Sequence, residues 1–470
     1  MTTRTYRLAP RDRTGWFLGL DAPQVLVLGG GLLLASLLAS QGAHPAMVIV
    51  PAVVGTVLAF TRVAGQTILE AAPPFLCFTA RRLLGQHRWL APVPRPEEDQ
   101  PALPPVLGGQ RLVAAPAGPA WRWVSGDMAV VHDRRRRTWA VTLRASGSGF
   151  LLSDGSEQDR LLGLWGDAIG AVCREDSPVA SLHWTFRCLP AQAGQAAEQA
   201  VHAPRRDVLV TVVFDGRRIR SQPGGDGPAG CVLDAVAAEV GLLSERLDAA
   251  GLRGLRVVSM AELPRVIRLR LDPAAEATLA RPERTLGERA GIVSAVNAGP
   301  LAVAEGWSEV RVDGSVHRAF YVAEWPRSAV PPGWLSALLL TDGVNWCLTV
   351  SLEPVSARRS RRGIERQAAK LASDEEQRHR AGFRIGAAHH RQTQAVEERE
   401  AELVSGHPEL DYVGVVVVTA ADQAALTRDA ATLAQAAAAA GVELRPLDGR
   451  HLAALGVTLP LARRFEGGSR

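Results

Sequence analysis

The residues that could carry out chemistry are few, and the first motif they exclude is a nucleotide-hydrolysing one. Lys370 is the only lysine in the chain, and it lies in the stretch RQAAKLAS with no glycine directly before it. A P-loop needs G-x-x-x-x-G-K-[ST], in which the lysine contacts the β- and γ-phosphates of the nucleotide. The chain therefore cannot be a conventional Walker-type ATPase.

Other combinations of reactive side chains are no more specific. Ser153, Asp154 and His183 could be assembled into a catalytic triad on paper, but no G-x-S-x-G elbow surrounds the serine. His389 and His390 are adjacent, so they point to different faces of a helix and cannot chelate a metal as an i, i+4 pair does. We therefore expect no catalytic residue, no metal and no cofactor, and we predict that the chain is not an enzyme.

The strongest basic run is a row of four arginines at a predicted hairpin tip. These are Arg134, Arg135, Arg136 and Arg137. One interpretation is a solvated surface turn, and the other is contact with phosphate, of nucleic acid or of lipid headgroups. No aromatic-rich strand accompanies the run, which gives nucleic-acid readout little support. The sequence leaves both interpretations open.

All of these residues follow an apolar segment, 24–60, that contains no Asp, Glu, Lys or Arg. A turn-like run at 41–45 divides it into two arms of roughly 18 and 16 residues, and the first covers about 27 Å of a hydrocarbon core of about 30 Å. The second arm is short and carries Pro51. The pattern predicts a two-helix transmembrane hairpin, in which 29–31 (Gly-Gly-Gly) would let the helices approach closely. A secretory signal and a buried core hairpin are the alternatives.

The distribution of arginine predicts the orientation of this hairpin. Four arginines precede the first arm, Arg62, Arg81, Arg82 and Arg88 follow the second, and the connection between the arms has none. The positive-inside rule then places both termini and the bulk of the chain in the cytoplasm of a bacterial cell. We expect these four arginines and Trp89 to lie at the membrane interface. Five widely spaced cysteines without a C-x-x-C pair fit reduced thiols in that compartment.

The composition divides the chain into four parts. Residues 1–90 form the membrane hairpin and an interfacial segment, which we expect to be interrupted at Pro73-Pro74. Residues 91–120 form a proline-rich linker without a core. Residues 121–300 and 301–470 are predicted as two α+β domains, the second with long charged helices. The fold class is therefore α+β behind a transmembrane hairpin.

The two α+β domains show the same order of elements. Each has a strand hairpin, a helix, a tryptophan-containing strand, a helical stretch, a further strand (208–214 and 412–420), a helix, a short strand and a last helix. The second hairpin is predicted to turn at Asp313-Gly314, and the second tryptophan-containing strand spans Asn345–Pro354. Trp184 and Trp346 occupy the same place in the two passes. A duplicated unit would explain this order. Strand–helix alternation is common, so two unrelated domains that look alike by chance are the alternative.

The layout resembles an arrangement in conjugative type IV secretion systems. Residues 1–90 resemble the PrgI family of two-helix inner-membrane subunits, through DAPQVLVLGG, the second apolar arm and ARRLLGQHRWLAP. The remainder resembles the N-terminal, non-motor region of the secretion ATPase that partners this subunit. This second resemblance rests on the stretches HWTFRCLP, LDAVAAEVGLLSERLDAAGLRGLRVVSMAEL and RAFYVAEWP. In some such systems the two parts are fused in this order.

The resemblance implies a non-catalytic inner-membrane platform, because the chain has no Walker A lysine and ends where a motor domain would begin. Its expected partners are the lipid bilayer, a separately encoded P-loop ATPase, other secretion-channel subunits and further copies of itself, with DNA contacted only indirectly. A membrane-anchored DNA-binding protein that uses Arg134–Arg137 and Arg358–Arg362 is the rival interpretation. An adaptor of another secretion or injection apparatus is the third.

Overall fold

A computed structural model describes residues 22–63, 66–94, 99–115, 127–147, 149–174, 177–190, 205–220, 229–279, 292–326, 328–380 and 387–465. Within them the chain is an α+β protein, in which two apolar helices precede a large sheet. Every pairing between neighbouring strands is antiparallel. The expected fold class is confirmed at this level.

Three helices and a small two-stranded ladder form the N-terminal part. They are α1 (Ala22–Ser40), α2 (Pro45–Phe60), β1 (Arg62–Val63), β2 (Gln66–Thr67) and α3 (Ile68–Leu83). Thr67 and Glu70 form a capping box that starts α3 immediately after β2. The helix continues through Pro73 and Pro74, so the expected interruption is absent. Because proline has no backbone N–H, Pro73 and Pro74 each remove one hydrogen bond of the helix without ending it.

The first half of the sheet follows after an edge strand, β3 (Arg88–Leu90). Its strands are β4 (Gln110–Ala115), β5 (Met128–Asp133), β6 (Thr138–Ser146), β7 (Val179–Leu189), β8 (Arg205–Asp215) and β9 (Arg253–Val257). Its helices are α4 (Gly155–Val172), α5 (Gly216–Arg220), α6 (Ala229–Ala249) and α7 (Leu263–Leu271). The spatial order is β4-β5-β6-β8-β7, and β9 also pairs with β6.

The second half has the same number of strands. They are β10 (Ala302–Glu305), β11 (Val310–Val312), β12 (Ser315–Glu324), β13 (Asn345–Pro354), β14 (Leu410–Ala420) and β15 (Glu443–Pro446). Its helices are α8 (Ser336–Leu339), α9 (Ala357–Arg380), α10 (Ala387–Val404), α11 (Gln423–Ala439) and α12 (His451–Thr458). The spatial order is β10-β11-β12-β14-β13, and β15 also pairs with β12. Both halves therefore have the same strand order.

The two halves join edge to edge into one sheet of 13 strands through β7 and β13. Trp184 lies opposite Val350 in this register, and the Thr185 and Thr349 hydroxyls are 3.0 Å apart. β3 completes the far edge by pairing with β10, where Trp89 lies opposite Val303. The seam makes the two predicted domains a single hydrogen-bonded body.

Alternation along the central strands divides the core between the two faces of the sheet. On β14, Val415 and Val417 face the cluster that contains α7 and α12, whereas Val416 and Val418 face α11. The first half follows the same rule, with α4 and α6 covering the opposite face from α7. This period of two is what a strand buried on both faces requires.

Most predicted elements lie where the sequence placed them. The short β1–β2 ladder was missed, and so were three strands of the large sheet. β13 spans the predicted Asn345–Pro354, and the hairpin at Asp313-Gly314 is a two-residue turn in which Asp313 has φ +49°. The linker predicted for 91–120 ends before Gln110, because β4 enters the sheet and buries Leu112. β3 and β10 were also not predicted. All three are short, and their burial depends on neighbours from elsewhere in the chain.

Candidate membrane anchor and its junction with the sheet

The outer surface of α1 and α2 is apolar and is not covered by the rest of the described protein. Leu26 and Leu33 each expose 73% of their surface, and Met47 exposes 64%. Soluble monomers rarely leave a contiguous apolar surface of this kind in water, because its hydration is unfavourable. The exposed surface therefore favours association with a lipid bilayer.

One helix in the described part of the chain is long and apolar enough to cross a membrane, the segment Pro23–Ser40 of α1. Only 11% of this segment is buried, which distinguishes it from the core helix of a soluble protein. α2 is apolar but has 16 residues, fewer than the roughly 20 that a spanning helix usually needs. By length and composition, membrane association depends on α1.

The two apolar helices approach each other closely at Gly31 and Gly55. A Cβ atom on Gly31 would lie 2.7 Å from the carbonyl oxygen of Pro51, and one on Gly55 would lie 3.1 Å from that of Val27. At the other end of the contact, Gln24 Nε2 donates to Ala59 O at 2.8 Å. Small residues and a shielded hydrogen bond are the two means by which apolar helices associate in lipid.

Only the last glycine of the Gly29-Gly30-Gly31 run has the predicted role. A Cβ atom on Gly29 or Gly30 would meet nothing within 4 Å, whereas Gly31 lies against the backbone of α2. The three positions therefore provide a natural set of matched sites for substitution.

Helix α3 attaches this anchor to the sheet through three side chains on one of its faces. Phe75 and Phe78 make edge contacts with Trp307, with ring centroids 5.6 and 5.4 Å apart. Gly449 (φ +65°) lies beneath them, and a Cβ atom there would be 2.9 Å from both Phe78 and Trp307. One turn further on, Arg81 contacts β10. We call this set of contacts the α3 junction.

Arg81 is the polar centre of the α3 junction. It lies 2.9 Å from Glu305 and also donates to the carbonyl oxygen of Gly449. The Glu305 side chain is only 3% exposed, and its other oxygen accepts from the backbone N–H of Leu452 at the start of α12. Burial raises the pKa of Glu305, and Arg81 opposes that shift. One carboxylate thus joins α3, β10 and α12.

The other residues predicted at the membrane interface lie in different surroundings. Arg82 is exposed on α3, and Arg88 is exposed on β3. Trp89, on the same strand, packs against the core cluster of α7 and α12. Arg62 lies in β1, and its side chain is outside the described part of the structure. An interfacial role for these residues stays a prediction.

The predicted basic turn connects β5 to β6. Asp133 Oδ1 accepts from the backbone N–H groups of Arg135 and Arg136, at 2.9 and 3.0 Å, and Arg137 adopts φ +56°. Arg134, Arg135 and Arg137 are exposed. The hairpin is confirmed at the expected place, and the aspartate explains its conformation without a ligand. Phosphate contact stays a prediction.

The conceivable catalytic triad does not assemble. Asp154 is exposed and caps α4 by accepting from Glu157 N. His183 is buried in β7, where both ring nitrogens have partners, at 3.1 Å from Ser181 Oγ and 3.0 Å from Ser351 Oγ. Burial lowers the pKa of His183 to about 4, so it is neutral.

The adjacent histidines form no chelating pair. The rings of His389 and His390 are 6.5 Å apart and nearly perpendicular. Within the described ranges no group of three potential metal-ligating side chains occurs. The expected divergence of the two side chains on a helix is confirmed.

A buried charge cluster that the sequence analysis missed lies where α7 packs on the first half of the sheet. Asp207 is 3.2 Å from Arg270 and 3.1 Å from Arg144. Beside them Arg187 donates to Leu269 O at 3.0 Å. Burial and the neighbouring Arg270 lower the pKa of Arg187 to about 10. These residues are far apart in the chain, so no local pattern could have indicated the cluster.

Burial by itself would raise the pKa of Asp207. Arg270 and Arg144 outweigh it and hold this pKa below its usual value. The carboxylate is therefore ionised and partly neutralises the arginines. A buried pair of this kind stabilises the fold only when both partners are present.

No protein-family model matches the chain, and no curated protein matches it.

Proposed function

We propose that this protein is a non-catalytic inner-membrane platform of a type IV secretion or conjugation-like machine, whose motor is a separately encoded P-loop ATPase. The observation that carries the proposal is the α3 junction, which attaches an uncovered apolar helix pair firmly to a 13-stranded sheet. Such an arrangement holds a large docking surface at a constant position relative to the bilayer. The resemblance to the PrgI subunit and to the non-motor region of the secretion ATPase supplies the type of machine.

In this proposal both α1 and α2 cross the inner membrane. The close contact at Gly31 and Gly55 and the Gln24–Ala59 hydrogen bond support it, because two helices in close contact share one environment. α2 is extended toward the interface by Thr61 and the β1–β2 ladder, which compensates in part for its 16 residues. The arginines on either side of the pair then place both ends of the chain in the cytoplasm.

The proposal includes a duplication of the α+β unit. Its support is the shared strand order, β4-β5-β6-β8-β7 in one half and β10-β11-β12-β14-β13 in the other. In both halves the short last strand, β9 or β15, pairs with the third strand. Trp184 and Trp346 lie on the two strands that meet at the seam.

The topology is tested with thiol labelling in intact cells. An impermeant maleimide should label a Gln41→Cys variant from outside, because Gln41 lies in the connection between the helices. Cys77, which is native and exposed on α3, should react only after permeabilisation. Labelling of Cys77 in intact cells would show that α2 does not cross the membrane.

The platform role is tested by purification of a tagged chain from membranes, with and without ATP. A P-loop ATPase recovered in stoichiometric amount supports the role and identifies the motor. Recovery of nucleic acid without an ATPase would favour the DNA-binding interpretation, which uses the basic runs Arg134–Arg137 and Arg358–Arg362. Recovery of neither would contradict the proposed role and leave only the test of topology.

A further inference from the structure

A cavity of about 530 Å³ lies at the base of the charged helical insertion, where α9 and α10 meet β14. The insertion leaves the sheet after β13 and returns to it at β14. Five arginines and two serines line the cavity: Arg358, Arg359, Arg362, Arg366, Arg399, Ser356 and Ser360. Small-molecule sites in proteins commonly have volumes in this range, about 300–1,000 Å³.

The charge in this cavity is not balanced by the protein. Glu409 and Asp411 are the carboxylates in its lining, so five arginines against two carboxylates leave a formal charge of +3. Arg399 is ion-paired with Glu409 and held by Gln367 Oε1 at 3.2 Å. The four cavity-lining arginines of α9 form no ion pair within 4 Å in the described part of the chain, whereas Arg380 at the end of the helix is paired with Glu376.

Their position on α9 makes this excess unfavourable in the absence of a ligand. Arg358, Arg362 and Arg366 are spaced i, i+4, i+8, so they share one face of the helix, where like charges repel. Two of them lie in the first two turns, and the first turn contains no acidic residue. The helix dipole is positive at that end and favours anions there. An anion in the cavity would relieve both effects.

A buried hydroxyl in the same cavity points to a ligand independently of the charge. Ser360 is 1% exposed, and its Oγ atom has no hydrogen-bond partner. A buried polar group without a partner is costly, and each one in a native protein calls for an explanation. A ligand oxygen that accepts from this hydroxyl would provide the missing partner.

We propose that this cavity binds the phosphate group of a small molecule or of a lipid headgroup. The arginine forks of Arg362 and Arg366 match the geometry of phosphate oxygens, and a hydroxyl donor beside them completes a phosphate site. The site is separate from the α3 junction. It also does not depend on the platform role, because it would bind phosphate whether or not an ATPase docks on the sheet.

The probe is inorganic pyrophosphate, titrated calorimetrically into the full chain in phosphatidylcholine nanodiscs at low salt. Binding should weaken at least tenfold in an Arg362→Gln/Arg366→Gln variant. Arg361→Gln is the matched control, because Arg361 is an exposed arginine on the same helix that does not line the cavity. The control should bind pyrophosphate within twofold of the unaltered chain.

Ser360→Ala separates a ligand contact from a structural role. This variant should bind pyrophosphate more weakly, yet its thermal stability without ligand should be unchanged or higher, because the unpartnered hydroxyl is removed. A purely structural serine would instead lose stability and leave affinity unchanged. That result would overturn the assignment of the hydroxyl to the ligand.

Two results would overturn the proposal as a whole. One is failure of pyrophosphate to bind the unaltered chain. The other is an equal loss of binding in the Arg361→Gln control, which would indicate attraction by the overall positive charge of the helix and not by a defined site. The source of the phosphate is distinguished by adding phosphatidic acid to the nanodiscs. If phosphatidic acid competes with pyrophosphate for the unaltered chain but not for the double variant, the ligand is a lipid headgroup. If phosphatidic acid does not compete, the ligand is a soluble phosphate compound.

Discussion

Two neighbouring arginines on α3 show how different the surroundings of one residue type are in this protein. Arg81 has a buried carboxylate partner in Glu305, and Arg82 is exposed on the next position of the helix. Both follow the apolar segment and contribute equally to the charge pattern that predicts membrane orientation. Only Arg81 also connects α3 to the sheet, so the two residues should differ in their effect on stability.

We expect Arg81→Ala to destabilise the fold by about 1–3 kcal/mol, because it leaves Glu305 buried without its partner. The partial exposure of Arg81 keeps the cost at the lower end for a buried pair. Thermal unfolding of the purified chain in detergent measures the change. The free energy of unfolding of Arg82→Ala should lie within about 0.5 kcal/mol of that of the unaltered chain. Equal losses in the two variants would contradict the role given to the junction.

Buried histidines make the stability of the sheet depend on pH. His317 is fully buried, with ring nitrogens 2.9 Å from Thr419 Oγ1 and 2.8 Å from Leu271 O. Burial lowers its pKa from 6.5 to about 4, and the nearby Arg187 acts in the same direction. His451 is also buried, and its pKa is lowered to about 4 in the same way.

Between pH 6.5 and 4 the unfolded chain binds protons at these histidines that the folded chain does not bind. Their full contribution is therefore present above pH 6.5 and is lost as the pH falls toward 4. We expect the free energy of unfolding to decrease over this range, by about 1.4 kcal/mol per histidine for each drop of one in pH. His317→Gln keeps a donor for Leu271 O but removes one titrating group. The free energy of unfolding of this variant should therefore depend less steeply on pH, by the contribution of one histidine. An unchanged slope in denaturant titrations at several pH values would show that His317 does not contribute.

At the scale of the elements, the contact between α1 and α2 depends on one glycine of a run of three. A Cβ atom on Gly31 would be 2.7 Å from a backbone oxygen of α2, and backbone cannot move aside as a flexible side chain can. The same atom on Gly29 would point into open space. The close approach is thus a property of one position and not of glycine content.

We expect Gly31→Ala to separate the helices and to cost about 1–3 kcal/mol, the usual penalty for overpacking. Gly29→Ala should be neutral or stabilising, because alanine has the higher helix propensity. Thermal denaturation in detergent compares the two variants. A loss at Gly29 as large as that at Gly31 would indicate that the helices pack differently.

At the scale of the whole molecule, the α9–α10 insertion is an addition to the sheet. Its helices share a small core of their own, made of Ile364, Leu371 and Val396. The strands on either side are already paired where the insertion begins, since Val355 N donates to Glu409 O at 3.0 Å. The sheet should therefore close without it.

We expect a chain in which an Asn-Gly turn replaces residues 356–408 to fold with an unfolding temperature within a few degrees of the original. A two-residue turn of this type suits an antiparallel pair. The control is removal of α11, which buries Leu426 and Leu433 against the sheet and should abolish folding. Circular dichroism melts of both chains provide the comparison. Aggregation of the first variant would show that the insertion supports the sheet.

Local pattern was sufficient to predict many of the elements. The apolar run in 412–420 and the Asp313-Gly314 turn predicted β14 and a hairpin, because a short apolar run and turn chemistry depend on neighbouring residues only. The absence of charge from 24–60 predicted the apolar helices in the same way, and the turn-like run at 41–45 predicted the connection between them. The single lysine, Lys370, lies in no G-x-x-x-x-G-K-[ST] motif, and on that ground the sequence predicts no Walker-type motor.

Tertiary structure decided how these elements meet. The β7–β13 seam, the Arg81–Glu305 pair and the cavity beside Ser360 all join residues that are far apart in the chain. β3, β4 and β10 are strands only because a neighbour supplies their hydrogen bonds and buries one face. A single sequence shows the period of each element, but the partner across a sheet or a cavity is selected by packing, hydrogen bonding and charge in three dimensions.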